Sequence, residues 1–316
     1  MTELKIAEPE KCKFSVINWW AHDIRATRVV PYYYTYLISQ GYKYVENACE
    51  AQFLICGPFH QYSNHFPDEF PGIPRIYILG ENMEWWAMHP RVKNGLETSH
   101  AVFHTNSNLD MKRLFGEIPK YIWLPHAPEH YDFERIKTRK PLLAKQKSKF
   151  CCFCIAHANT ALRGIKDRID IFRYISTNYK GVDSLGAALN NVGGPVPHEG
   201  FEEYISKYKF MICFENTYAD GYVTEKIARC FVAGVIPIYI GDPKIANYFD
   251  QKAFITADPN DPNWMKRILV QVKLYDQTDH LYDKMLAVEP CLDYEVFSRE
   301  KFCKLIEDEV KAVISK

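Results

Sequence analysis

The chain has 316 residues, 47% hydrophobic and 25% charged, which is ample for two compact domains and too apolar for a disordered chain. Lys and Arg total 39 and so do Asp and Glu, so formal net charge is zero and the overall basic excess of a nucleic-acid binder is missing. No apolar stretch is long enough to span a membrane, and the charged residues 1–13 lack the apolar core of a signal peptide.

In chain order, residues 12–18 read as a strand leading into Trp19-Trp20. Residues 31–40 read as a helix stopped by Gly41. Short apolar runs at 53–56, 75–79, 101–104 and 121–124 read as buried strands, two of them ended by Gly57-Pro58 and Gly80. These elements form a first α/β unit over roughly residues 1–135. The basic stretch 135–149 reads as a linker or surface loop. A second unit follows, with strands at 150–156, 182–183, 209–215 and 236–240. Its helices are expected at 167–178, 201–208 and 224–233, the last closed by Gly234. This βαβ succession is of the doubly wound kind, whose ligands bind beyond strand C-termini. An amphipathic helix over 302–316 ends the chain. Packing on the protein is its preferred role, with membrane-surface association as the alternative.

The ten cysteines lie mostly in apolar runs such as residues 150–155, where free thiols act as small buried hydrophobes. Cys151 and Cys154 form a C-x-x-C without a second pair at zinc-like spacing, and on a strand they face opposite ways. A reducing compartment and a soluble, cytoplasmic protein are expected. His60, His65, His100, His104, His126 and His130 are scattered, and no Asp-x-Asp ends a strand, so no essential metal is expected. Aromatic residues make up 15% of the chain, including 21 Tyr and 6 Trp, and suit sugar stacking as well as core packing.

One segment concentrates chemistry. The strand 209–215 ends in Phe214-Glu215-Asn216, and a polar loop reaches Gly221-Tyr222-Val223-Thr224-Glu225-Lys226-Ile227. Thr224 has the residue type and place of a helix N-cap. A helix start offers unpaired amides and the positive end of a dipole. Lys226 adds a point charge for phosphate, and Glu225 an acceptor for sugar hydroxyls. Alone, Glu225 and Lys226 also fit an exposed first turn. The strand, the glycine and the cap in one segment favour an anion site.

This segment, with Ala233-Gly234-Val235-Ile236-Pro237-Ile238-Tyr239-Ile240-Gly241 after it, resembles the donor-binding signature of the α-1,3/4-fucosyltransferases. Residues 182–184 and 190–194 are similar to the loop these enzymes carry before it. Ile17-Asn18-Trp19-Trp20 and Gly80-Glu81-Asn82 resemble the bacterial branch. The likeness is strong over residues 150–257 and patchy over 14–130.

The resemblance implies a GT-B architecture, two Rossmann-like domains facing across a cleft. Residues 1–140 would bind the acceptor and carry the base, residues 141–290 would bind GDP-β-L-fucose, and 291–316 would pack back on the first domain. It implies inverting transfer to a GlcNAc or glucose hydroxyl of an oligosaccharide, giving a Lewis-type α-1,3-fucoside. Lys226 matches the diphosphate lysine, and Arg168 its arginine partner, with Arg163 as rival. Glu225 matches the carboxylate beside the fucose, and Asn216 and Tyr222 match polar donor contacts. Glu215 is expected to orient the loop. The general base falls on Glu81, with Glu84 as rival. Trp85 and Trp86 stand where the family has other residues; they suit an acceptor platform and core packing equally.

Two other readings stay open: a transferase of the same architecture with another nucleotide sugar, and a non-catalytic glycan-binding protein. A dinucleotide oxidoreductase lacks the G-x-G-x-x-G it would need after a first strand.

Overall fold

Apolar runs that alternate along the first part of the chain become parallel strands because both their faces find cover. The computed structural model describes residues 12–18, 32–58, 65–82, 90–116, 120–123 and 133–315. The first elements are β1 (Lys13–Ile17), α1 (Tyr32–Ser39), β2 (Lys43–Tyr44), β3 (Phe53–Cys56), β4 (Arg75–Leu79), α2 (Pro90–Glu97), β5 (Ala101–His104), α3 (Asn108–Phe115) and β6 (Tyr121–Trp123). Then come α4 (Phe133–Thr138), β7 (Lys149–Phe153), α5 (Arg163–Asn178), β8 (Asp183–Ser184), α6 (Phe201–Ile205), β9 (Tyr208–Ile212), α7 (Glu225–Ala233) and β10 (Ile236–Ile238). Helices α8 (Trp264–Gln277), α9 (Asp279–Leu286) and α10 (Arg299–Ile314) complete the chain. It divides into two compact units, Met1–Leu124 with Ser298–Lys316, and Pro125–Phe297.

The first unit holds a sheet ordered β2-β1-β3-β4-β5-β6, parallel throughout. Successive side chains of a strand point to opposite faces. Phe53, Ile55, Ile76, Ile78, Ala101 and Phe103 therefore meet one core. Leu54, Cys56, Tyr77, Leu79 and Val102 meet the other, with Leu96 of α2 and Met111 of α3. The first core is closed by α1 and by α10, which returns from the far end of the chain. Phe302, Ile306, Val310 and Val313 recur every three or four residues and lie in that core. Two α10 carboxylates are buried with them. Glu307 accepts from the Tyr36 hydroxyl at 3.1 Å and pairs with Lys311 at 2.9 Å. Glu309 pairs with Lys120 and lies 3.6 Å from His100 Nε2. Such partners offset the desolvation that a buried carboxylate pays for.

The second unit holds a parallel sheet ordered β10-β9-β7-β8. Cys151, Phe153, Phe210, Ile212, Ile236 and Ile238 share a core with Ile169 of α5 and with Ile268 and Val272 of α8. Strand order reverses at β7, with β8 on one side and β9 on the other. A crevice is therefore expected beyond the C-terminal ends of β7 and β9. The stretch 135–149, expected as a linker or surface loop, belongs to this unit and is largely exposed or partly buried on its surface. Lys147 Nζ donates to the Ser206 and Gly234 carbonyls at 2.7 and 2.6 Å, and burial pushes its pKa down to about 8. Arg139 bonds the Ile136 and Val288 carbonyls at 2.6 and 3.1 Å. All ten cysteines are free thiols. Among the described residues no helix is long and apolar enough to cross a membrane.

Since Ile306 is fully buried between α10 and the sheet, Ile306→Ala should cost about 2–5 kcal/mol in chemical denaturation, the range for emptying a core site. A change within about 0.5 kcal/mol, as at a surface position, would mean that α10 is dispensable to this core.

Candidate active site

Beyond β9 the backbone stays paired: Cys213 and Glu215 donate their N–H groups to the Ile238 and Ile240 carbonyls, each at 2.9 Å. This carries Glu215 into a fully buried position at the strand's C-terminal end. Its carboxylate gathers the donors around it. Oε1 accepts from the Thr224 N–H at 2.9 Å and from the Tyr239 hydroxyl at 3.4 Å. Oε2 accepts from the Thr224 hydroxyl at 2.7 Å and from Lys226 Nζ at 3.1 Å. A lone buried carboxylate would be costly. Here it also faces the positive end of α7. Thr224 is the N-cap of α7, its Oγ1 accepting from the Lys226 N–H at 3.5 Å and from Nζ at 2.8 Å. The helix closes at Gly234, which is left-handed with φ 63°.

Two cations flank this carboxylate. Burial acts to lower the pKa of Lys226, but Glu215 and then Glu225 outweigh it and hold the ammonium above the ordinary lysine range. Glu225 lies 3.8 Å from the ammonium and keeps about a quarter of its side chain exposed. Arg168, two turns into α5, is buried and donates from Nη2 to Asn216 Oδ1 at 2.8 Å. Its Nε makes no hydrogen bond. Burial pushes its guanidinium pKa down, with Glu215 opposing. An unmet donor on a buried cation is costly and invites an anionic partner.

The rival arginine lies elsewhere. Arg163 is the first residue of α5, four residues before the expected helix start. Its guanidinium bonds Asn260 Oδ1 at 3.1 Å and the Pro259 carbonyl at 2.7 Å, and lies 3.4 Å from Asp167. Tyr222 and Asn216 share the loop between β9 and α7; Tyr222 is buried and Asn216 half-buried. The structure thus brings Arg168, Asn216, Glu215, Glu225 and Lys226 together at the end of β9.

Two glycines make the arrangement fit, Gly241 at the end of the signature and Gly164 outside it. The Gly164 N–H donates to the Asn216 carbonyl at 3.0 Å, and a Cβ there would fall 2.0 Å from the Glu215 carbonyl oxygen. At Gly241 a Cβ would fall 2.2 Å from the Tyr239 hydroxyl and 2.6 Å from Glu215 Cγ. Any other residue at either place would push the loop off its support.

Sequence reasoning also passed over Asp242, which is 2% exposed. Its Oδ1 accepts from the Lys244 N–H at 2.7 Å, while Oδ2 has no hydrogen-bond partner. Burial pushes its pKa up to about 6; Asp220 adds to the rise, and the Lys244 and Gly221 amides oppose it. Asp242 lines a pocket of about 590 Å³ with Arg163, Tyr218, Thr256 and Asn260.

In the first unit, Glu81 follows the C-terminal end of β4, and its carbonyl accepts from the Thr105 hydroxyl at 3.2 Å. Asn82 is buried and accepts from Asn106 Nδ2 at 3.1 Å. Asn18 ends β1 with φ 56°, and neither polar atom of its buried side chain has a hydrogen-bond partner. Glu84, Trp85, Trp86, Trp19, Trp20, His60, His126 and His130 lie outside the described residues. His104 sits on β5 and His100 just before it, and among the described residues no group of three His, Cys, Asp or Glu could hold a metal.

Known proteins share parts of this sequence and this fold. Residues 144–309 match the family model for the C-terminal part of glycosyltransferase family 10 (fucosyltransferase). Alpha-(1,3)-fucosyltransferase FucT of Helicobacter pylori is 26% identical over 289 residues, covering 79% of this chain and 54% of that protein. GDP-fucose protein O-fucosyltransferase 3 of Danio rerio is 36% identical over 115 residues, 33% of this chain and 24% of its own length. The chain thus spans about half, or less, of these curated relatives. A crystal structure of an alpha1,3-fucosyltransferase with GDP-fucose is similar at TM-score 0.68 and 21% identity, over 100% of this chain and 94% of that one. That likeness establishes the fold, the α/β architecture of the GT-B transferases.

Asp242 supplies a pH test. Its folded pKa of about 6 lies above the ordinary 3.8, so the fold favours the protonated form. The stability this contributes is complete at low pH and lost as pH rises through about 6. Asp242→Asn, a neutral mimic, should match the wild type near about pH 4 and exceed it by about 1–3 kcal/mol near about pH 7. Thermal unfolding across that range checks this, and parallel curves for the two proteins would contradict it.

Proposed function

The chain belongs to glycosyltransferase family 10, the fucosyltransferases, and we propose that it transfers L-fucose from GDP-β-L-fucose to an acceptor glycan. The product is an α-1,3-fucoside on GlcNAc or glucose, formed with inversion. The observation that carries this reading is the buried pair Arg168 and Lys226, held beside the start of α7 with one unmet guanidinium donor.

Inversion in one step needs a stabilised leaving group, help for an oxocarbenium-like sugar, and a base on the opposite face. The charges of the Arg168 guanidinium and the Lys226 ammonium neutralise the departing diphosphate, together with the positive end of α7. Arg168 suits this task better than Arg163, whose guanidinium is engaged with residues 259 and 260. Glu225, partly exposed in the first turn, lies against the fucose ring and offsets its developing positive charge. Asn216 and Tyr222 add polar contacts to the donor. Glu215 stays behind this layer as a positioning residue. Two fixed cations already balance the diphosphate, so turnover persists in EDTA.

The base is Glu81, at the C-terminal end of β4, where ligands of such sheets bind. It takes the proton of the acceptor hydroxyl as the new bond to the anomeric carbon forms. Trp85 and Trp86 provide an acceptor platform. Ten unpaired thiols fit a reducing, cytoplasmic setting.

GDP release from GDP-fucose against an acceptor panel tests this reading, with UDP-sugars as the contrasting donors. Turnover with a UDP-sugar and none with GDP-fucose would overturn it. Glu81→Gln should bind GDP-fucose as the wild type does and lose on the order of a hundredfold or more in kcat. Near-normal turnover in that variant would move the role of base to Glu84.

A further inference from the structure

The loop between β9 and α7 is fastened to the start of α5 at two places. Asn216 makes the first attachment. Its carbonyl accepts from the Gly164 N–H at 3.0 Å, and its Oδ1 accepts from Arg168 Nη2 at 2.8 Å. Among the described residues the Arg168 guanidinium makes no other hydrogen bond. The direction of this buried cation therefore follows the place of Asn216.

Tyr218 makes the second attachment, two residues further on. Its hydroxyl donates to Asp167 Oδ2 at 3.2 Å, and Asp167 immediately precedes Arg168 on α5. The same buried oxygen lies 3.4 Å from Arg163 Nε. The Arg163 guanidinium carbon lies 5.4 Å from the centre of the Tyr218 ring. Arg163 is held in turn by the Pro259 carbonyl at 2.7 Å and Asn260 Oδ1 at 3.1 Å. The ring itself is half-buried against the core of the second unit. Burial, and then the charge of Asp167, push the hydroxyl pKa up, so it remains a hydrogen-bond donor. Neighbouring helix residues thus hold the loop at two points, Asp167 at Tyr218 and Arg168 at Asn216.

The loop has little else to fix it. Gly221 is left-handed at φ 83° and brings no side chain. Asp220 pairs with Lys244 at 2.5 Å, but that lysine is exposed and such a pair contributes little. Ordering loop backbone costs about 1–2 kcal/mol per residue, and the Tyr218 contacts offset part of it.

We propose that Tyr218 is a positioning residue for the nucleotide diphosphate: held by Arg163 and Asp167, it fixes the loop so that Asn216 keeps Arg168 turned toward the phosphates. The proposal rests on the glycosyl-transfer reading for the identity of the diphosphate, and on the contacts between α5 and the loop for the mechanism.

Tyr218→Phe removes the hydroxyl and keeps the ring. Asp167→Ala removes its acceptor, and Asp167→Asn keeps an oxygen that can accept. Calorimetric titration with GDP and with guanosine isolates what the diphosphate contributes. In Tyr218→Phe and in Asp167→Ala, GDP affinity should fall by roughly threefold to tenfold, the worth of one hydrogen bond. Guanosine affinity should change by less than about twofold in both, and Asp167→Asn should bind both ligands within about twofold of the wild type. Combining Tyr218→Phe with Asp167→Ala should lose no more than Asp167→Ala alone, since both remove the same bond. Undiminished GDP affinity in Tyr218→Phe overturns the role. So does a loss shared equally by guanosine, the mark of general damage, which thermal unfolding would also register. A loss in Asp167→Asn as large as in Asp167→Ala overturns it too, because charge rather than the hydroxyl bond would then be at work. A wild type that binds GDP no tighter than guanosine overturns the diphosphate site and the positioning role together. A wild type that prefers GDP leaves the functional reading standing whichever way the variants fall.

Discussion

The arrangement at the end of β9 depends on one buried carboxylate. Glu215 draws a backbone amide, two hydroxyls and an ammonium onto its two oxygens. It thereby fixes the N-cap of α7, the direction of Lys226 and the position of Tyr239. None of these groups would hold its place by local preference alone. Thr224 can cap a helix in isolation, but the cap does not say where the helix start points. A long lysine side chain loses considerable rotamer freedom on being held. The charge at Glu215 offsets that cost and also the desolvation of the ammonium. The close approaches at Gly164 and Gly241 surround the same residue: a Cβ at Gly241 would meet the Glu215 and Tyr239 side chains, and one at Gly164 the backbone of Glu215 and Asn216.

The two units show the same logic at different scales. Each sheet is parallel and covered on its faces, so each sends its loops to the C-terminal edge. In the second unit that edge carries the cations, the carboxylates and the Asp242 pocket. In the first it carries Glu81, Asn82 and the left-handed Asn18. Stability and chemistry are thereby kept apart. The apolar layers and α10 hold the sheets, while buried polar groups with unmet hydrogen bonds, Asn18 and Arg168 Nε among them, lie near these edges. Such unmet groups lower stability and are the expected mark of a site kept ready for a partner.

Much of this was legible in the sequence, for identifiable reasons. Strands β3, β4, β5, β7 and β9 are short apolar runs because both faces of each are buried, and such runs stand out between polar loops. Helix α7 announced its ends through Thr224 and Gly234. The start of α5 did not, because Leu162 caps it without a side-chain hydrogen bond. The two-residue strand β2 was too short to leave a pattern. Gly164 and Asp242 were illegible for a deeper reason. Their importance lies in contacts with residues distant in the chain, and a lone glycine or aspartate carries no trace of such a contact. The basic stretch 135–149 read as solvated, and Lys147 in it is instead partly buried with its ammonium on two carbonyls.

The central claim is that Glu215 keeps Lys226 charged and aimed, and GDP binding as a function of pH tests it most directly. Lys226 faces Glu215, Glu225 and Arg168; burial and Arg168 push its proton off, while the two carboxylates hold it on. In the wild type the ammonium stays charged, so GDP affinity should be nearly level between about pH 7 and about pH 9. In Glu215→Gln the larger of the two opposing charges is gone, and affinity should fall as pH rises through that window. A variant that binds GDP as tightly as the wild type, with the same level profile, would contradict the account.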